Sequence, residues 1–370
     1  MKSDIPLKAN PEKQKVHFKF IDGLRGIAAL WVVLFHADPH GRISQFTSVL
    51  PQWLVYILFE KGSLGIAIFF VLSGFLIAYS LQNARINFSF LKSFVLRRFV
   101  RLNPTYYVAI ITTIVISFIA AYFKGQEFAP MGEPLSFPRL IAHLFYLQDI
   151  LKLQHIDEVY WTLCLEVQHY LVFCVLIVLT QWIDSRWKTN WGKAIIFIPS
   201  AGIAALYAMG ILTYEGRPTT LLPLWHSFLL GTFAYWTWRN QMKSWLFYFY
   251  VAVLISAGRL PSSGFVITGS VVAILLLEIS RTNRMGTLLN WRWLQFVSKI
   301  SYSLYLTHVA ILGGVYFVGL KLLKHSVWSE FICLVAGIGV CIGFATLMWQ
   351  FVEKPSIQWS KKLKSNNLAQ

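Results

Sequence analysis

The sequence predicts an all-α protein, a polytopic transmembrane helical bundle of about ten spans with both termini in the cytoplasm. Composition is the first reason. Of 370 residues, 56% are apolar and 13% charged, against about 25% charged in ordinary soluble domains. The second is recurrence: apolar stretches of about 20 residues, the length that crosses a bilayer as helix, repeat along the chain. The third is the distribution of basic residues between the two sides, which orients the spans.

Ten candidate spans run over residues 20–37, 63–81, 104–122, 161–182, 194–214, 220–238, 244–257, 262–280, 300–320 and 329–352. The stretch "LIAHLFYLQDIL" (140–151) is apolar but short, and reads as a re-entrant or interfacial piece. Residues 1–19 form a polar, Lys-rich N-terminal tail without a signal-peptide pattern. Residues 20–352 form the transmembrane domain, and 353–370 a second cytoplasmic tail. With the N-terminus inside, 23 of the 33 Lys and Arg residues fall on the inner side and nine on the outer; Arg25 alone lies within a span. The formal charge of +17 is therefore topology rather than a nucleic-acid footprint. Cys164, Cys174, Cys333 and Cys341 all sit in apolar runs, without CxxC or Cys/His spacing, so they read as small fillers and no metal site is expected.

Ionisable residues at membrane depth are costly and mark cavities or reaction paths. In "FIDGLRGIAALWVVLFHA" (20–37) the first span carries Asp22, Arg25 and His36. Arg25 and His36 are eleven residues apart, which puts both near one helix face, roughly 16 Å apart along the axis. Running outward, this span places Arg25 in its inner half and His36 near its outer end. Arg25 either pairs with Asp22 at i,i+3 or offers its guanidinium fork to an anionic ligand. The fourth span runs inward from "YWTLCLEVQHY" (160–170), so Glu166 falls near the depth of His36. A carboxylate beside an imidazole raises its basicity and holds its tautomer, as a general base requires; a purely structural pair is the bland alternative.

"LRRFVRLNPTYY" (96–107) places Arg98 and Arg101 on one face, with Arg97 flanking. Pro104 biases Asn103 away from helix and predicts a bend or a fresh helix start there. Clustered guanidiniums beside a helix N-terminus form an anion site suited to phosphates; headgroup contact is the plainer reading. In "LGIAIFFVLSGFLIAYSL" (64–81), Gly65, Ser73 and Gly74 predict close helix packing, with Ser73 also a candidate for lining a site. In "ISYSLYLTHVA" (300–310), Tyr302, Tyr305 and His308 lie near one face, with His308 a helix-linking histidine by default. The outer loop 123–160 is the longest, suited to covering or selecting a substrate.

These segments together resemble the integral-membrane acyltransferases of acyltransferase family three. The Arg25-to-His36 motif resembles that family's N-terminal signature, as do "FFVLSGFLI" (69–77), "RRFVRLNPTYY" (97–107), "WTLCLEVQHY" (161–170), "ISYSLYLTH" (300–308) and "FVEKP" (351–355). The resemblance implies transfer of an acyl group, commonly acetyl, from cytoplasmic acyl-CoA to a hydroxyl on an extracytoplasmic or lipid-linked glycan such as O-antigen or exopolysaccharide. It implies a multi-pass protein of the bacterial cytoplasmic (inner) membrane, with acetyl-CoA as donor substrate and no permanently bound cofactor. His36 matches the family's essential histidine, Arg25 its basic partner, Arg98 and Arg101 the cytoplasmic arginine motif, and Glu166 the acid of the fourth motif. His169 stands where the family more often has phenylalanine. Some relatives carry a C-terminal extracytoplasmic domain. This chain is expected to act without one, or with a separate extracytoplasmic partner protein.

The combined expectation is a donor path. The pyrophosphate of acyl-CoA rests at Arg98 and Arg101, and the pantetheine arm, about 15–20 Å by extended-chain reach, passes Arg25 towards His36. His36 is expected to act as general base with Glu166 orienting it, or as the nucleophile of an acyl-histidine relay. Asp22, Ser73, Tyr302 and His308 are further candidates for the lining. The rival class is a transporter or lipid flippase using the same buried charges for cargo or protons; no inverted half-repeat, a common transporter feature, supports it.

Overall fold

The computed structural model describes residues 18–82, 84, 88–256 and 263–366, and among these every regular element is helical. Numbering the helices longer than seven residues, α1 is Lys19–Phe35, α2 Gly65–Leu81, α3 Phe88–Lys124 and α4 Phe137–Leu144. They continue with α5 Tyr160–Trp187, α6 Gly192–Ala208, α7 Trp225–Trp238 and α8 Ser244–Ser256. The last four are α9 Ser263–Arg281, α10 Arg292–Leu323, α11 Val327–Met348 and α12 Lys354–Asn366.

Each apolar segment expected to span has most of its described length on a helix, although α6 stops at Ala208, short of the expected 214, and positions 257 and 262 lie outside the described residues. Six helical stretches among the described residues are long and apolar enough to cross a bilayer: Gly62–Leu81, Ser89–Lys124, Tyr160–Trp187, Gly264–Arg281, Arg292–Leu323 and Val327–Leu363. Helices α6 and α8 are apolar but shorter. Of the expected N-terminal tail, only Phe18 and Lys19 are among the described residues. Of the expected C-terminal tail, Lys354–Asn366 form α12, tied to α3 by the Ser360 hydroxyl donating to Arg97 O at 2.9 Å.

Two stretches singled out in the sequence take a definite local form. Helix α3 runs through Pro104 as one 37-residue element instead of restarting there. Asn103 spends its amide on side chains rather than on a turn: Nδ2 donates to the Tyr107 hydroxyl at 2.8 Å, and Oδ1 accepts from Tyr146 at 2.9 Å. Residues 140–151 are helical only at their start. The last two turns of α4 end at Leu144, and an irregular segment follows.

Small residues set the closest crossings. A Cβ at Gly74 on α2 would lie 1.9 Å from Phe228 O on α7, and one at Gly231 on α7 would lie 1.8 Å from Val71 O. The two backbones touch, and Thr232 donates to Gly74 O at 3.2 Å across the crossing. Helix α1 approaches α10 in the same way: a Cβ at Gly26 would sit 2.8 Å from Leu294 O. Buried Ala29 and Val33 of α1, Ile300, Leu304 and Ile311 of α10, and Cys341 and Ala345 of α11 form one seam. Helical spacing puts these residues on facing stripes.

The long segment between α3 and α5 is organised around a buried cation. Arg139, 2% exposed, donates to five carbonyls: Gln154 O (2.7 Å), Glu133 O (2.6 Å), Pro134 O (3.2 Å), Pro130 O (2.8 Å) and His155 O (2.6 Å). His143 adds a second clip. Its Nδ1 donates to Arg139 O at 2.7 Å while Nε2 accepts from Ile156 N at 3.0 Å, and burial pushes its pKa down to about 4.

Arg139→Met is expected to cost about 3 kcal/mol or more, because it strands several buried acceptors at once; thermal unfolding in detergent, with proteolysis between residues 125 and 159, measures it. His143 is held below its usual value, so the unfolded loop takes up the proton first. Loop stability should fall as pH drops from about 6.5 towards about 4, seen as faster cleavage at pH 5 than at pH 7.

Candidate active site

One cavity of about 620 Å³ collects most of the residues singled out in the sequence. Arg25 and Asp22 reach it from α1, Ser73 from α2, Arg98 and Arg101 from α3, Glu166 from α5 and Tyr302 from α10. Lys19, Lys299, Glu353 and Lys361 also line it. The cavity therefore holds six cations against three carboxylates, and none of Arg25, Arg98 and Arg101 has a carboxylate oxygen within 4 Å among the described residues. Like charges around one cavity repel, and Arg25 and Arg98 both act on Arg101 in this way. A polyanion entering the cavity relieves that repulsion.

The geometry ranks the arginines. Arg98 stacks on the Tyr170 ring, 3.9 Å from guanidinium carbon to centroid. Tyr170 donates its hydroxyl to Glu166 Oε1, which also accepts from Ser73 at 3.3 Å. Glu166 thus holds the platform on which Arg98 lies. Arg97 turns away and packs over Phe90 at 6.0 Å. Tyr302 donates to Leu102 O at 3.1 Å, fastening α10 to α3 beside Arg101. Glu353, not among the expected site residues, accepts from Ser303 at 2.6 Å.

His36 lies just past the end of α1, 9% exposed, and does not line the cavity. Its expected partner Glu166 is replaced by His308, whose Nε2 lies 3.1 Å from His36 Nδ1. The reason is lateral position. Helix α10, not α5, packs along α1 at this level, and the Glu166 face of α5 turns towards α2 and the arginines. His36 Nδ1 also lies 2.9 Å from Val32 O, and His308 Nδ1 lies 2.8 Å from Tyr305 O and 3.2 Å from Leu304 O.

Carbonyl oxygens only accept, so one proton arrangement satisfies the neutral pair. His308 carries its proton on Nδ1 and accepts at Nε2. His36 carries its proton on Nδ1, shared between Val32 O and His308. The lone pair of His36 is thereby placed on Nε2, which makes no hydrogen bond within the protein among the described residues. An imidazole oriented in this way is set to take a proton.

The space between cavity and histidines is short. Thr162 of α5 and Tyr305 of α10 line the cavity, with Thr162 Oγ1 and Tyr305 Oη 2.6 Å apart. The Tyr305 ring lies 5.8 Å from His308, whose ring lies 4.9 Å from His36. Sequence reasoning did not place Thr162 at the site, nor Tyr170 beneath Arg98. For Tyr170 a signal existed in its i,i+4 spacing from Glu166.

A family profile described as "Acyltransferase domain" matches residues 18–348. The chain is 26% identical to a Staphylococcus aureus (strain COL) protein named "Putative O-acetyltransferase", over 90% of this chain and 56% of the relative. It is 26% identical to the Bacillus subtilis (strain 168) "Putative peptidoglycan O-acetyltransferase YrhL", over 92% of this chain and 55% of the relative. To the "Peptidoglycan O-acetyltransferase OatA" of Listeria monocytogenes it is 23% identical, over 94% and 57%. The chain spans a little over half the length of these relatives. No solved structure matches it.

The proton arrangement is testable by nitrogen NMR on imidazole-labelled protein in detergent. His36 is expected to show a protonated Nδ1 and a bare Nε2, and His308→Phe to shift it towards the Nε2–H tautomer. An Nε2–H form in the unaltered protein would overturn the assignment.

Proposed function

The chain belongs to the acyltransferase-domain family, and from that premise we propose that it is a multi-pass membrane O-acyltransferase carrying an acyl group, acetyl in the first instance, from cytoplasmic acyl-CoA to a hydroxyl of an extracytoplasmic or lipid-linked glycan. The observation that carries this reading is the arginine cavity. Three guanidiniums without ion-pair partners among the described residues line a pocket whose far wall is one aromatic ring from an oriented histidine pair. Acyl-CoA has the matching shape, a phosphate-rich head on a long neutral arm. Forked guanidiniums suit its pyrophosphate, and the volume lies within the usual range of ligand pockets.

The excess of basic residues on the inner side supports a cytoplasmic opening, both termini on that side and about ten spans in the bacterial cytoplasmic membrane. His36 then lies towards the opposite leaflet. An acceptor hydroxyl arriving there gives its proton to His36 Nε2 as its oxygen attacks the thioester carbon. His308 accepts from Nδ1–H throughout and stabilises the imidazolium, the role first expected of Glu166. Collapse of the tetrahedral adduct expels the thiolate of CoA, which recovers the proton. Ester and free thiol are the products.

The names of two relatives add peptidoglycan to O-antigen and exopolysaccharide as candidate acceptors. Peptidoglycan, presented beyond the membrane, offers the hydroxyls this reading needs. A separate extracytoplasmic partner that receives or presents the acyl group fits the same reading.

Purified full-length chain incubated with acetyl-CoA and a glycan acceptor is expected to release free thiol. His36→Ala should lower the rate by at least about 10²-fold, the scale of a lost general base; thiol release that persists in this variant would defeat the reading. Arg98→Ala combined with Arg101→Ala should weaken acetyl-CoA binding at least tenfold, since each charge-assisted bond contributes about 1.5–3 kcal/mol. Calorimetry or a thermal-shift titration measures it, and unchanged affinity would remove the phosphate assignment.

A further inference from the structure

We infer that Tyr305 is a catalytic residue whose hydroxyl donates a hydrogen bond to the carbonyl oxygen of the bound thioester and to the oxyanion that forms from it. The inference rests on the donor-cavity reading above and adds a residue to which no role has been given.

Tyr305 is the residue that belongs to both halves of the site. Its side chain lines the arginine cavity, with 9% of the residue exposed, while its backbone carbonyl accepts from His308 Nδ1 at 2.8 Å. Its ring sits between Phe69, 5.9 Å away, and His308, 5.8 Å away. A thioester that reaches the end of the cavity nearest His36 meets the Tyr305 hydroxyl there.

Proton accounting shows why this hydroxyl is free to act. Tyr170 donates to the Glu166 carboxylate, and Tyr302 donates to Leu102 O at 3.1 Å. Both protons are committed to strong acceptors. Thr162 lies 3.0 Å from Val159 O and gives its single proton to that carbonyl. Tyr305 Oη lies 3.5 Å from that same carbonyl, too long to compete with its 2.6 Å contact to Thr162, so in the Thr162–Tyr305 pair Tyr305 is the donor and Thr162 the acceptor. The Tyr305 proton rests on a neutral hydroxyl, and an oxyanion is the stronger acceptor. Rotation about the C–O bond of the phenol exchanges one for the other without moving the ring.

The step balances. The acceptor oxygen bonds to the carbonyl carbon and its proton passes to His36 Nε2. The carbonyl π pair moves onto oxygen, where Tyr305 donates to it without transferring its proton. The pair returns as the carbon–sulfur bond breaks, and the departing thiolate takes the proton from His36. Removing one preorganised oxyanion donor typically costs about 10²–10³ in rate.

A plain clamp between α5 and α10 is the competing role for the Thr162–Tyr305 pair, and kinetics separate the two. In the full-length chain, Tyr305→Phe is expected to lower kcat for thiol release about 10²-fold, with KM for acetyl-CoA within about threefold. Thr162→Val breaks the same bond but leaves the donor, so its loss should be at least tenfold smaller. Equal losses in the two variants, or a Tyr305→Phe kcat within threefold of the parent, would overturn the inference. Should Tyr305→Phe fail to elute as a folded species, infrared spectra of acetyl-CoA labelled with carbon-13 at the carbonyl decide, taken on the His36→Asn protein. A carbonyl stretch lowered from its value in water supports the bond, and an unlowered one overturns it. Absence of thiol release from the parent protein is a different result, since it would fail the acyl-CoA reading itself.

Discussion

The approach of α1 to α10 governs the geometry of the whole site. Gly26 lets the α1 backbone come against the Leu294 carbonyl, where a methyl group would collide at 2.8 Å. From that contact two positions follow along one rigid rod. Arg25 is delivered to the cavity, and His36, roughly three turns further on, is delivered to His308. Neither the cation nor the base is placed by a flexible loop. Their separation is set by helix rise, and their facing by the seam of small and branched side chains between α1, α10 and α11.

The same rigidity explains how the cavity tolerates its charge. Guanidiniums gathered without carboxylate partners are costly, yet Arg25, Arg98 and Arg101 converge here, each at least partly exposed. Arg98 is offset by the face of Tyr170, and that ring is pinned by its bond to Glu166. Arg101 is exposed along the cavity wall and keeps access to water. Acid in this cavity therefore serves to position a basic group indirectly, and the net excess of cations remains available to a ligand.

Much of this was legible in the sequence, for identifiable reasons. Each apolar stretch expected to span lies mostly on a helix, because length and hydropathy leave a chain in lipid few alternatives. Arg98 and Arg101 share a face because helical periodicity is local. The partner of His36 was not legible. Loop charges speak only to depth and say nothing of which neighbour lies beside α1, and it is the neighbour that decides the bond. Of the two outcomes expected at Pro104, the fresh helix start does not occur: the side-chain bonds of Asn103 and the packing around α3 outweigh the local bias. Arg139 reads in the sequence as one more loop cation, and its five carbonyl bonds depend on a fold of the loop that no spacing announces.

That Arg139 core has a consequence for how such a protein diversifies. Its acceptors are all main-chain groups, and main-chain groups survive substitution. The segment above the bundle can therefore exchange its outward-pointing side chains one at a time while its shape persists, provided the central guanidinium is kept. A lineage carrying this scaffold is free to vary the surface of this segment without reworking the helices that hold the cavity.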